Sequence, residues 1–314
     1  MKKIFILIAK LLIAIGLLEY LFSKIDWNLF LNALEDANII LIIIPALLIY
    51  LSVYISVLRW DVFLKNYGFK INKLKLYSLY SIGAFFNNFL PTTVGGDIYK
   101  FINLNKIFGD KKKEIVSSIV FERGSGFFTL FLINIFLAPF FYKLIISDRR
   151  FLFLEAATFL GFVLILFFIK NYRLLLKIEK LIKKEISLVN KFSKLIASLF
   201  SIKDKKSLSY GIFYSFLFSL EIAVAHYWIL FRAFGIGVSP LYVLLISTIT
   251  QIFGIIPISF NSIGITEGLN VFLFSLIGVP MEISLAVALL SRVSLMITSS
   301  LGGIFYFLDK KIKY

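Results

Sequence analysis

Asn87-Asn88-Phe89-Leu90-Pro91-Thr92-Thr93-Val94-Gly95-Gly96-Asp97 closes the apolar block 76–96, and its reading decides the fold. Pro91 breaks a helix because it has no N–H and its ring crowds the preceding turn, and Gly95 and Gly96 loosen the backbone that follows. Broken backbone at membrane depth is tolerated only where protein or water shields its polar groups. The flanking charges add a second constraint. Residues 59–75 carry Arg59, Lys65, Lys70, Lys73 and Lys75 against Asp61, and residues 97–114 carry Lys100, Lys106 and Lys111–Lys113. Positive loops stay in the cytoplasm, so the block begins and ends on one side. A single crossing cannot do that, whereas a re-entrant hairpin satisfies both observations.

Further apolar blocks fall at 4–22, 39–58, 115–140, 151–169, 207–231, 239–259 and 261–308, the last with a broken part and then a helix at 283–308. A bilayer core needs about 20 apolar residues per helical crossing. The chain is 60% hydrophobic, with a mean hydropathy of +0.92. These features predict an all-α polytopic membrane protein with about six full crossings and two Pro/Gly-broken re-entrant hairpins. Lys2 and Lys3 before Ile4–Phe22 look like a signal peptide, but Ser23-Lys24-Ile25-Asp26 offers no small-residue cleavage pattern, so the segment reads as a first membrane helix. Residues 170–206 hold eleven Lys or Arg against three acids, and the tail holds Lys310, Lys311 and Lys313. Both termini are therefore expected in the cytoplasm, with the chain in the cell membrane.

A second break follows the same grammar. Residues 253–268 read Phe-Gly-Ile-Ile-Pro-Ile-Ser-Phe-Asn-Ser-Ile-Gly-Ile-Thr-Glu-Gly, again a proline, then polar residues, glycine and one carboxylate. Arg123 follows Asp97 by 26 positions and Arg292 follows Glu267 by 25, while Arg59 and Arg232 are each read as closing the helix before a break. The spacing suggests one transmembrane domain made of two repeats, 1–148 and 149–314. Three crossings and a hairpin per half make the halves inverted. Such repeats with paired broken helices are a transporter signature, with the site at the repeat interface.

The candidate substrate-binding residues lie at these breaks. Arg123 and Arg292 fall inside apolar runs, where a charge costs about 2.5–3.5 kcal/mol by insertion scales. A planar guanidinium suits a phosphate. Helix starts after Gly96 and Gly264 add dipoles that favour an anion. Asp97 and Glu267 sit at those starts, as N-terminal acids or as groups that bind an amine or exchange a proton. Glu122 reads equally as a structural ion-pair partner. Asn88, Pro91, Gly95 and Pro257 complete the set as residues of the broken segments. His226 and Glu221 are five apart and do not share a helical face well, so a lone packing histidine is the simpler reading.

Other chemistry is excluded or unsupported. The chain has no cysteine and one histidine, so neither a thiolate site nor a multi-histidine metal site is available, and no metal or cofactor is expected. No G-x-S-x-G or Walker pattern appears, and the expectation is a protein that is not an enzyme. The net charge of +16 lies in short stretches between apolar blocks, which points to topology and anionic lipid rather than nucleic acid. Within 170–206, Leu175, Ile178, Ile182, Val189, Phe192, Ile196 and Leu199 recur at helical spacing against a Lys-rich face. That describes an amphipathic segment on an anionic leaflet.

Several motifs in order carry a family resemblance over nearly the whole chain. Phe89-Leu90-Pro91 through Gly95-Gly96-Asp97-Ile98-Tyr99-Lys100, then Phe121-Glu122-Arg123, then Ile256-Pro257-Ile258-Ser259 through Gly264-Ile265-Thr266-Glu267-Gly268, then Arg292, resemble the flippase-like membrane domain of lysylphosphatidylglycerol synthases. That domain also occurs as stand-alone membrane proteins. The resemblance implies movement of a lipid between leaflets, a phospholipid or a polyprenyl phosphate. The soluble aminoacylating domain of the synthases is not legible here. Phe260-Asn261 departs from the pattern, where smaller residues are expected. Two rival readings are a non-transporting scaffold for a lipid- or glycan-modifying enzyme, and a membrane enzyme acting on a lipid headgroup.

Overall fold

The computed structural model describes residues 2–89, 95–171 and 205–309. Among these residues every regular element is a helix. Six helices are long and apolar enough to cross a membrane: Phe5–Phe22, Ile39–Asn66, Lys112–Ser147, Arg149–Phe167, Lys206–Ala233 and Met281–Leu308. The multi-pass all-helical architecture expected from the apolar blocks is what the structure has.

In chain order, α1 is Lys2–Phe22, α2 Trp27–Glu35, α3 Ile39–Asn66, α4 Lys73–Phe89, α5 Gly95–Ile107 and α6 Lys112–Leu137. A 3-10 turn, Ala138–Phe141, leads into α7, Tyr142–Ser147, and α8 is Arg149–Lys170. The second half holds α9, Lys205–Glu221, a π-helical segment Ile222–Trp228, and α10, Ile229–Ala233. It continues with α11, Pro240–Gly254, α12, Ile265–Ser275, and α13, Met281–Asp309. Pro91 and residues 172–204 of the basic amphipathic segment lie outside the described residues.

Among the described residues, the four helices that flank the two breaks are too short to cross. α4 has 17 residues, α5 13, α11 15 and α12 11. At about 1.5 Å per residue, none reaches the roughly 30 Å of a hydrocarbon core. They pair as hairpins instead. Lys100 Nζ lies 3.5 Å from the centre of the Tyr80 ring, and Gly96 lies against Gly83, so α4 and α5 run antiparallel. Thr250 Oγ1 donates to Asn270 Oδ1 at 3.2 Å, and Gly254 faces Thr266, so α11 and α12 do the same.

The long helices frame these hairpins reciprocally. α6, which follows the first hairpin, packs against α11 of the second, and α13, which follows the second, packs against α4 of the first. α3 and α9 precede the two hairpins and pack on one another. Phe63 lies against Gly211, and Arg59 Nη1 donates to Ser215 Oγ at 3.3 Å. Those contacts make α3 and α9 antiparallel.

Each hairpin has its own apolar core. Trp60, Leu64, Leu76, Leu79, Leu104 and Ile115 surround the first. Phe231, Val243, Ile246, Phe274 and Val287 surround the second. Outward-facing apolar side chains such as Phe5, Leu12, Phe153 and Phe159 have no protein cover, as lipid-facing positions require. Arg59 corrects one sequence expectation. It lies within α3 rather than at its end, and it is buried because a carboxylate awaits it on α6. Arg232, by contrast, stays exposed near the end of α10.

Polar linker side chains do local work at helix starts. Asn38 Oδ1 accepts from Ile40 N at 3.0 Å and starts α3. Asp26 caps α2 in the same way. Asp148 caps α8 through Arg150 N at 2.7 Å. The Arg150 guanidinium beside Asp148 holds its carboxyl down to about 2. The pair cancels one positive charge in the short connection between α7 and α8.

Candidate functional site

The breaks place an acid at the same point of each return helix. Asp97 is the third residue of α5, and Glu267 is the third residue of α12. The crossing helix after each hairpin carries an arginine on its twelfth residue, Arg123 in α6 and Arg292 in α13. Arg123 Nε pairs with Asp97 Oδ2, and Arg292 Nε pairs with Glu267 Oε1. The same ion pair therefore ties each hairpin to the helix that follows it. An acid at a helix start also meets the exposed backbone N–H groups there.

The second pair is the more elaborate. Glu267 Oε2 accepts from Gly264 N at 2.7 Å and from Thr266 Oγ1 at 3.1 Å. Arg292 Nη2 donates to Thr266 Oγ1 at 2.6 Å, and Nη1 donates to the Asn261 carbonyl at 3.3 Å. Gly264 has φ +83°, and a Cβ there would run into Leu17 of α1, so the position requires glycine. Asn261 and Ser262 have φ of 46° and 58°, a left-handed conformation uncommon outside glycine. The Phe260-Asn261 departure thus forms a short 3-10 turn, Phe260–Ser262, whose backbone presents an oxygen to Arg292.

A cavity of about 400 Å³ opens beside this pair. Its walls come from the second hairpin, the π-helical segment, α13, Phe218 of α9, Leu130 of α6 and, from the first hairpin, Asn88. Of the candidate substrate-binding residues named from sequence, Asn88, Glu267 and Arg292 line it. Asp97, Arg123, Glu122, Gly95, Gly96, Pro257 and Gly264 do not. Pro257 sits exposed in the turn between α11 and α12. Gly96 is buried against Gly83, and its N–H donates to Asn87 Oδ1 at 2.8 Å, which ties the two sides of the first break together.

Glu122 belongs to a different constellation. It is 2% exposed and accepts from Arg59 Nε at 3.0 Å and from Tyr80 OH at 3.0 Å. Lys100 Nζ lies 4.0 Å from its other oxygen. Its partners come from α3, α4 and α5, so one carboxylate on α6 holds the first hairpin to its neighbours. Sequence reading caught Glu122 but gave no signal for Arg59 or Lys100, since both lie in segments that read as cytoplasmic loops. It also missed the polar wall of the cavity, Thr250, Tyr227, Asn270 and Ser291. Those residues look like ordinary helix polar positions, and a π-helical segment has no recognisable spelling.

The family model described as the lysylphosphatidylglycerol synthase TM region matches residues 7–303. The chain is 26% identical to the UPF0104 membrane protein of Methanocaldococcus jannaschii, with 99% of this chain and 96% of that protein covered. It is 27% identical to the UPF0104 membrane protein of Pyrococcus horikoshii, over 88% and 89% of the two chains. A relative in Methanothermobacter thermautotrophicus is 22% identical over 86% of each. No solved structure matches.

Proposed function

The chain belongs to the lysylphosphatidylglycerol synthase transmembrane-region family, and on that premise we propose that it moves a phosphate-bearing lipid between membrane leaflets. The observation that carries the reading is the cavity of about 400 Å³ at the second hairpin, lined by the Arg292–Glu267 pair and by Asn88 of the first hairpin. That volume lies in the usual range for a ligand site, roughly 300–1,000 Å³. A lipid phosphate entering it competes with Glu267 for the Arg292 fork. Glu267 keeps the Gly264 N–H and the Thr266 hydroxyl on Oε2 when the arginine leaves Oε1. Antiparallel α3 and α9, and the reciprocal packing of α6 and α13, support two inverted halves that open the path to alternate sides. On this reading the basic segment 170–206 rests on the anionic cytoplasmic leaflet, and both termini lie in the cytoplasm.

The test is leaflet redistribution of labelled anionic, zwitterionic and polyprenyl-phosphate lipids in proteoliposomes holding the purified chain. Wild type is expected to speed at least one of them. Arg292→Ala removes a charge-assisted contact worth about 1.5–3 kcal/mol, so the rate should fall by at least about tenfold. Wild-type movement by a monodisperse Arg292→Ala protein overturns the proposal.

A further inference from the structure

The cavity has an inner wall that the phosphate contact leaves unused. Thr250 Oγ1 donates to Asn270 Oδ1 at 3.2 Å, and Asn270 Nδ2 donates to Tyr227 OH at 3.1 Å. Ser291 Oγ lies 3.1 Å from His226 Nδ1. All five residues line the cavity. His226 Nε2 has no partner although His226 is 0% exposed. An unmet buried ring nitrogen is costly. This one sits in a π-helical segment, Ile222–Trp228, a backbone form that recurs at functional sites.

The charges of the cavity narrow what can satisfy that nitrogen. Its charged lining residues are Glu267 and Arg292, which pair with each other. The inner wall adds only neutral groups. If Ser291 Oγ donates to Nδ1, Nε2 carries the proton and donates. If Nδ1 donates to Ser291 Oγ, Nε2 is bare and accepts. A hydroxyl donates and accepts, so it fits either arrangement. An ammonium fits only the bare nitrogen, an anionic oxygen fits only the N–H, and neither finds a counter-charge on this wall.

We infer that the wall of Thr250, Asn270, Tyr227, Ser291 and His226 is a binding site for a neutral, hydroxyl-rich group, a polyol or a sugar. The inference rests on the transport reading for where the phosphate sits, and it names what lies beyond that phosphate. A glycerol, inositol or glycosyl moiety reaches the inner wall while its phosphate faces Arg292.

The experiment measures lipid retention by the full chain in nanodiscs, using native mass spectrometry. Phosphatidylglycerol and phosphatidylinositol are compared with phosphatidic acid and phosphatidylethanolamine. Wild type is expected to hold the two hydroxyl-bearing lipids about tenfold more tightly, the scale of one buried hydrogen bond. His226→Phe and, as a milder change, Asn270→Ala should each erase most of that preference without lowering retention of phosphatidic acid. Equal retention of phosphatidic acid and phosphatidylinositol by wild type overturns the inference. So does an intact preference in both folded variants. Free myo-inositol and free glycerol form a second arm. Competition at millimolar concentration identifies a soluble polyol as a ligand, and its absence identifies the lipid headgroup, each in support of a hydroxyl site. Selective binding without leaflet movement removes the transport reading and leaves this site standing. Movement without any hydroxyl preference does the reverse.

Discussion

Glu122→Ala is expected to lower the stability of the protein by about 3–5 kcal/mol, the cost of breaking a buried ion pair from one side. Arg59 is 6% exposed and Lys100 3% exposed, and Glu122 is the carboxylate between them. Removing it leaves two cations facing each other in the interior. Lys100 retains the faces of Tyr80 and Trp60, at 3.5 and 4.9 Å from their ring centres, but cation–π contacts contribute only about 0.5–2 kcal/mol. Tyr80 OH also loses its acceptor. The thermal midpoint in detergent should drop by roughly 10 °C, taking about 2–4 °C per kcal/mol for a chain somewhat smaller than this one. Adding Arg59→Met to Glu122→Ala should recover part of the loss, because it deletes one stranded charge. An unchanged midpoint for Glu122→Ala would show that water or lipid already compensates these groups.

Gly96→Val should prevent the first hairpin from closing. A Cβ on Gly96 would fall within the backbone of Gly83, on its carbonyl carbon and oxygen. A side chain could rotate away, but main chain can move only with its helix. α4 cannot retreat, because its other side meets α13 at an equally tight point. There a Cβ on Gly302 would fall on the Ser81 carbonyl. Overpacking a core with a methyl group typically costs about 1–3 kcal/mol, and a backbone obstruction on both flanks belongs at or beyond the top of that range. We expect little monodisperse protein by size exclusion for Gly96→Val and the same for Gly302→Val. Gly16→Ala, where nothing lies within 4 Å, is the neutral control. Normal yield and midpoint for Gly96→Val would contradict the close helix contact.

These two sites also show where sequence reading reaches and where it stops. The proline and glycine spellings around 87–97 and 253–268 mark the breaks, because backbone chemistry is local. The spacing of acid and arginine in each half is legible for the same reason, and the structure pairs those residues. What the spacing does not reveal is that the arginines are held by carboxylates, or that only Arg292 of the two faces the cavity. Exposure depends on neighbours from distant segments. Arg59 and Lys100 read as loop charges because a count of charges near a membrane edge does not distinguish a snorkelling cation from one turned inward to Glu122. His226 and Glu221, five apart, do not share a face in an α-helix. The π-helical segment between them alters that geometry, and it follows from packing rather than from any residue pattern.

On the transport reading, the two hairpins enter the bilayer from opposite faces and belong to inverted halves. The chain has no cysteine, so single cysteines report accessibility without background. Lys70→Cys and Asp110→Cys mark the mouth of the first hairpin, and Gly237→Cys and Met281→Cys mark the mouth of the second, all at exposed positions. Labelling of intact cells and of inverted vesicles with a membrane-impermeant maleimide is the most direct measurement. The account predicts that the first two react from the cytoplasmic side and the last two from the outside. Reaction of all four from one side would contradict it.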